Sequence, residues 1–225
     1  MLTGVICKYP GLRRTQLLAS MLTTDDVVLG VPGRSLTYAH TAGTGAAADA
    51  RLTTAQCIID RLPGAGTAAA FPAFGDINGC GTLPAASLKN GKFNNVLLGQ
   101  TLTLALNLRL DTDLGGVTLQ SSMTSYNALN CNGPDPADLT GSTRSIPASV
   151  LGNLSYAGGS STVASLLALA NKALRGQPTP TRAATLAWLT SAARRVPSTS
   201  CSTTAACTAT RRQPWPGRPP TAATQ

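Results

Sequence analysis

The clearest pattern of apolar and polar positions lies late in the chain, where Val163, Leu166, Leu167, Ala170 and Leu174 recur at three- and four-residue spacing. That period puts side chains on one face of an α-helix. Ser160 or Ser161 stands ready to cap its first turn, and Arg175-Gly176 closes it. A second helix is predicted from Thr53, which with Gln56 forms a capping box ahead of Ala55, Ile58, Ile59 and Leu62 at helical spacing; Pro63-Gly64 ends it. Residues 94–111 carry two periods at once. Leu102, Leu104, Leu106, Leu108 and Leu110 alternate as in a strand, but the run is too long for an ordinary strand, so its length selects a helix with Asn94 or Asn95 as N-cap. On that reading Gln100 and Asn107 share a face, either exposed or as a buried amide pair bonded to a loop.

The remaining segments read as less regular. Residues 12–22 form a short basic helix with Leu17, Leu18, Met21 and Leu22 on one side, and residues 27–31 a strand stopped by Pro32-Gly33. The Gly/Ala run at 42–48 reads as a linker. Residues 65–90 and 112–159 read as loop-rich, with a short strand at 117–120. The fold class expected is mainly α: a small irregular domain of three amphipathic helices with long loops over residues 49–176. An N-terminal segment of uncertain structure (1–48) precedes it, and a basic Pro/Thr/Ala-rich tail (177–225) follows.

Composition narrows the chemistry. Only 4% of residues are aromatic, so the core must be built from Leu, Val, Ile and Ala. There are nine Asp, no Glu and a single histidine, His40, which leaves few groups for proton transfer. The net charge of +9 is concentrated in the tail, with six Arg and no acid, whereas residues 49–176 hold eight Lys or Arg against seven Asp. A nearly neutral body argues against a nucleic-acid interface, which needs a basic stripe.

No catalytic residues are assigned. His40 lies in a loop-like context, and no Gly-x-Ser-x-Gly elbow exists to supply a nucleophile. Gly-x-Gly-x-x-Ala strings at 43–48 and 64–69 lack the strand-then-helix setting of a dinucleotide site. No cofactor is expected. Asp111 and Asp113 are weak calcium candidates, because a twelve-residue loop starting there would end on Ser122 and not on a bidentate acid. The six cysteines lack the close paired spacing of zinc or redox motifs. Cys57 and Cys80 are the disulfide candidates, with buried free thiols as the alternative; the pairing is not legible. No apolar run approaches the ~20 residues of a membrane span, and residues 1–24 lack the charge-then-apolar order of a signal peptide.

The strings Thr53-Thr54-Ala55-Gln56-Cys57-Ile58-Ile59 with Leu62-Pro63-Gly64, Leu98-Gly99-Gln100 with Leu106-Asn107-Leu108, and Leu166-Leu167-Ala168-Leu169-Ala170-Asn171 with Ala173-Leu174 together resemble a domain of large secreted bacterial cell-surface proteins exported by type IX secretion. The resemblance covers residues ~51–176 and implies export and a surface role, with no catalytic residues. It also implies a fourth helix after Gly176 carrying Asp, Asn and a Cys. The tail departs from that pattern, and reads either as a disordered basic linker or as an out-of-frame translation of GC-rich DNA. The second case would leave Leu166, Leu167 and Leu174 partly exposed. The function expected is thus a non-catalytic secreted or cell-surface module in adhesion, spacing or assembly, with an unknown surface or protein partner. The alternatives are the accessory part of a secreted hydrolase or a basic nucleic-acid-binding protein.

Overall fold

The computed structural model describes residues 13–81, 83–128, 140–176 and 207–209. The elements run α1 (Arg14–Ser20), β1 (Val27–Val31), β2 (Arg34–Tyr38), α2 (Ala46–Arg61), β3 (Ile77–Asn78), β4 (Leu88–Lys89), β5 (Lys92–Phe93), α3 (Val96–Leu110), β6 (Ser122–Ala128), β7 (Thr140–Ser145), α4 (Ala148–Gly158), α5 (Val163–Arg175) and β8 (Cys207–Ala209). The described residues thus form five helices and three small sheets, and the expectation of a mainly α domain is corrected to a mixed α/β one. β1 is the strand expected over residues 27–31, whereas β3, β4 and β5 are two residues long, too short to carry a period. On β6 and β7, Ser122, Thr124, Thr143, Arg144 and Ser145 are exposed, so the ribbon is held by its backbone ladder and by the Thr124–Thr143 hydroxyl pair at 2.9 Å. No apolar alternation marks such strands in the sequence.

The first sheet is ordered β1-β2-β3. Its hairpin turns at Pro32-Gly33, where Gly33 takes φ 84°, a conformation open to glycine at little cost. The register sets Val27 against Tyr38 and Leu29 against Leu36. Leu29, Leu36 and Tyr38 are fully buried and Val27 nearly so, and the whole row faces the core. β3 then adds in parallel, Ile77 beside Leu36 and Asn78 beside Thr37.

α5 lies against the hairpin. Its buried face holds Val163, Leu166, Leu169, Ala170, Ala173 and Leu174, and the Asn171 side chain accepts a hydrogen bond from the Gly30 N–H at 3.0 Å. The helix opens on Thr162, whose hydroxyl accepts from Ser165 N, one residue past the expected cap, and ends on Gly176 at φ 83°. Leu166 and Leu174 are buried, without the exposure that an out-of-frame tail would leave on them; Leu167 is partly buried against the same core.

α3 runs through the centre. Val96, Leu97, Leu98, Thr101, Leu102, Ala105 and Leu106 are buried, and Leu104, Leu108 and Leu110 are partly buried against the core. A helix apolar on nearly every side explains why its sequence shows a strand period as well. Asn95 caps it, accepting from the N–H groups of Leu97 and Leu98 at 3.1 and 3.3 Å. The same amide exchanges hydrogen bonds with Ala69, donating to its carbonyl at 2.8 Å. Near this end Gly99 meets Gly64 backbone to backbone: a Cβ built on Gly99 would stand 2.8 Å from the Gly64 Cα. The Leu62-Pro63-Gly64 and Leu98-Gly99-Gln100 strings are therefore two halves of one contact that only side-chain-free residues permit.

Other boundaries moved. α2 begins at Ala46 and not at Thr53, so the linker expected at 42–48 runs into helix. Thr53 is then mid-helix, its hydroxyl donating to the Asp49 carbonyl one turn back. α4 was read as loop, although Val150 and Leu154, four residues apart, are fully buried. The strand expected at 117–120 is a single bridge between Thr118 and Thr162. The tail readings lie outside the described residues, apart from Cys207–Ala209, which pair with β6.

Candidate functional site

The most reactive grouping sits where the hairpin leaves the core. The register that pairs Val27 with Tyr38 carries the chain on both sides one or two residues further, and Asp26 meets His40. One carboxylate oxygen of Asp26 accepts from the His40 backbone N–H at 2.8 Å and lies 2.7 Å from the ring Nδ1. The His40 N–H and ring together hold the Asp26 carboxyl below its ordinary range, with a smaller push from Arg109. Arg109, in the last turn of α3, braces the loop beneath by donating to the carbonyls of Met21, Asp25 and Asp26 at 2.9, 2.7 and 2.6 Å.

A carboxylate on Nδ1 orients an imidazole as in a hydrolytic triad. The pair is half exposed, at 44% and 43% for the two side chains, and among the described residues no hydroxyl or thiol bonds to the His40 ring. The arrangement supplies an oriented base without a nucleophile or a water-excluding wall. The pair also bears on the stability of the fold. Because the Asp26 carboxyl is depressed in the folded state, the contribution exists above the ordinary aspartate value of about 3.9 and is lost as acid protonates it. Asp26→Asn is expected to cost less than about 1 kcal/mol at neutral pH. Urea melts at neutral and acid pH check this, the difference from wild type vanishing at the acid end.

The calcium candidates are placed apart from this pair. Asp111 follows α3, and its carboxylate accepts from the Asp113 N–H at 3.1 Å, closing a turn. Ser122, at the far end of the expected loop, begins β6 and pairs with Ser145. Among the described residues no three His, Cys or Asp side chains gather as a metal site would require, and no helix is long and apolar enough to cross a membrane.

No protein-family model, curated protein or solved structure matches this chain. Its chemistry has to be read from its own groups, and one further group is well defined. Cys57 of α2 and Cys80 are joined by a disulfide, with Cα atoms 6.0 Å apart. The bond fixes the segment after β3, where the Gly79 N–H donates to the Thr37 carbonyl at 2.7 Å. Asp76, at the other end of that segment, accepts from the Ser35 hydroxyl at 2.7 Å and the Gly33 N–H at 3.0 Å, which hold its carboxyl below the usual range. The sequence marks both cysteines, and offers Asp76-Ile77-Asn78-Gly79 as a tight turn and a weak echo of the calcium string, whereas Ile77–Asn78 is a strand on β2; the roles of Asp26 and Tyr38 depend on β2, which carries no such mark.

Proposed function

We propose that this chain is a non-catalytic extracellular module of a larger surface protein, serving adhesion, spacing or assembly. The observation that carries the reading is the Cys57–Cys80 disulfide, since such bonds persist in oxidising compartments and are rare where thiol systems keep cysteines reduced. Two further features support it. The acid/base inventory is thin, with one histidine and no Glu, and among the described residues the ring of that half-exposed histidine bonds to Asp26 and to no hydroxyl or thiol. The body between residues 49 and 176 is close to neutral, which suits a spacer better than an electrostatic binder of nucleic acid.

The test is the whereabouts and redox state of the native protein. Protease treatment of intact cells, followed by peptide mass spectrometry without reductant, is expected to release a linked peptide pair containing Cys57 and Cys80. Recovery of the protein only from inside the cell, with both thiols free, overturns the reading.

A further inference from the structure

The segment 76–81 crosses the end of the hairpin as a strap, and what it covers is unusual. Gly79 lies flat on the Tyr38 ring: a Cβ built there would stand 2.5 Å from Cε1 and 2.7 Å from Cδ1 and Cζ. Beneath it the Tyr38 side chain is fully buried, and its hydroxyl has no hydrogen-bond partner. Arg61, one helical turn beyond Cys57, comes near enough to act electrostatically on the phenol, while its guanidinium is held by a bond from Nη1 to the Gly91 carbonyl at 2.8 Å. A hydroxyl shut away from water without a partner makes the closed arrangement unfavourable in itself.

Few contacts hold the strap down. Its pairing with β2 is two residues long and parallel, a weak form of sheet. Gly79 adds one hydrogen bond to Thr37, and Asp76 anchors the near end on Ser35 and Gly33. The far end is held by the Cys57–Cys80 bond. Cys80 is exposed and Cys57 half-buried, so a thiol in solution can reach the sulfurs, and exchange needs such access.

We propose that the Cys57–Cys80 disulfide is a redox latch on a strap that hides Tyr38, and that a dithiol opens it. The attacking thiolate of the dithiol displaces one cysteine sulfur to give a mixed disulfide. Its second thiol then closes on the first and expels the other cysteine. Cys57 and Cys80 leave as thiols, having gained two electrons and two protons, and the dithiol leaves as a cyclic disulfide. Freed at its far end, the strap lifts from Tyr38, and the phenol becomes available to water or to a hydrogen-bonding partner.

Hydrogen exchange on the full chain, with and without dithiothreitol, tests this. The Gly79 amide is expected to lose about tenfold or more of its protection on reduction, while amides of α5 keep theirs, the signature of local opening. Ultraviolet titration should show the Tyr38 phenol ionising closer to ordinary tyrosine in the reduced protein, with Tyr38→Phe assigning the signal. The double variant Cys57→Ser/Cys80→Ser should reproduce the reduced state without disturbing other cysteines. Gly79→Ala should loosen the strap with the bond intact, by forcing a methyl group against the ring. Unchanged Gly79 protection in the reduced protein and the double variant overturns the proposal. So does loss of strap and α5 protection together, which would make the bond a clamp on the whole fold.

Discussion

Leu169→Ala is expected to lower the free energy of unfolding by about 2–5 kcal/mol, the range for emptying a well-packed leucine site. Leu169 is fully buried on α5, the helix that packs its face on the β1–β2 hairpin. Leu167, two residues earlier, is only partly buried, and Leu167→Ala should cost about 1 kcal/mol, nearer the lower end for apolar truncation. Urea denaturation followed by circular dichroism measures both. The order matters more than the size: the bare periodicity picks out Leu167 and passes over Leu169, so a larger loss at Leu167 would refute the orientation of α5.

Asn95→Ala should follow closely, at about 2–4 kcal/mol. The loss combines a helix cap, typically ~1 kcal/mol, with the partners left unpaired, about 1–3 kcal/mol. Asn95 is buried to 7% exposure and joins the start of α3 to Ala69 through both ends of its amide. Asn95→Asp separates the two contributions, because a carboxylate still accepts from Leu97 and Leu98 but cannot donate to the Ala69 carbonyl. It should recover the cap and the bond from the Ala69 N–H, but not the bond to the Ala69 carbonyl. An alanine variant within about 0.5 kcal/mol of wild type, the scatter of a neutral surface change, would remove Asn95 from this role.

These two sites show what was legible in the chain. α3 and α5 could be read because each joins a long apolar run to a capping residue and a defined end, although the cap of α5 fell on Thr162. The start of α2 could not: Gly45 offers no side chain to cap Ala46, whereas Thr53 and Gln56 imitate a cap from within the helix. α4 was hidden by its Gly, Ser and Asn content, even with Val150 and Leu154 at helical spacing. The Asp26–His40 pair follows from one fact, that the chain folds back at Pro32-Gly33 into β2. Recognising Ser35, Leu36, Thr37 and Tyr38 as a strand would have set Asp26 beside His40 and Ile77 beside Leu36. Pairing between distant segments leaves no periodic mark when the strands are two to five residues long.

The Asn171 contact to Gly30 reaches beyond the packing of one helix. An open strand border is a template on which a second molecule can add its own strand. Here α5 lies along the outer side of β1, and Asn171 already occupies an N–H that an incoming strand would use. On the opposite border β3 offers only two residues, too short a template for stable growth. The Asn171 side chain thus blocks one position on the β1 border, and brevity limits the border at β3.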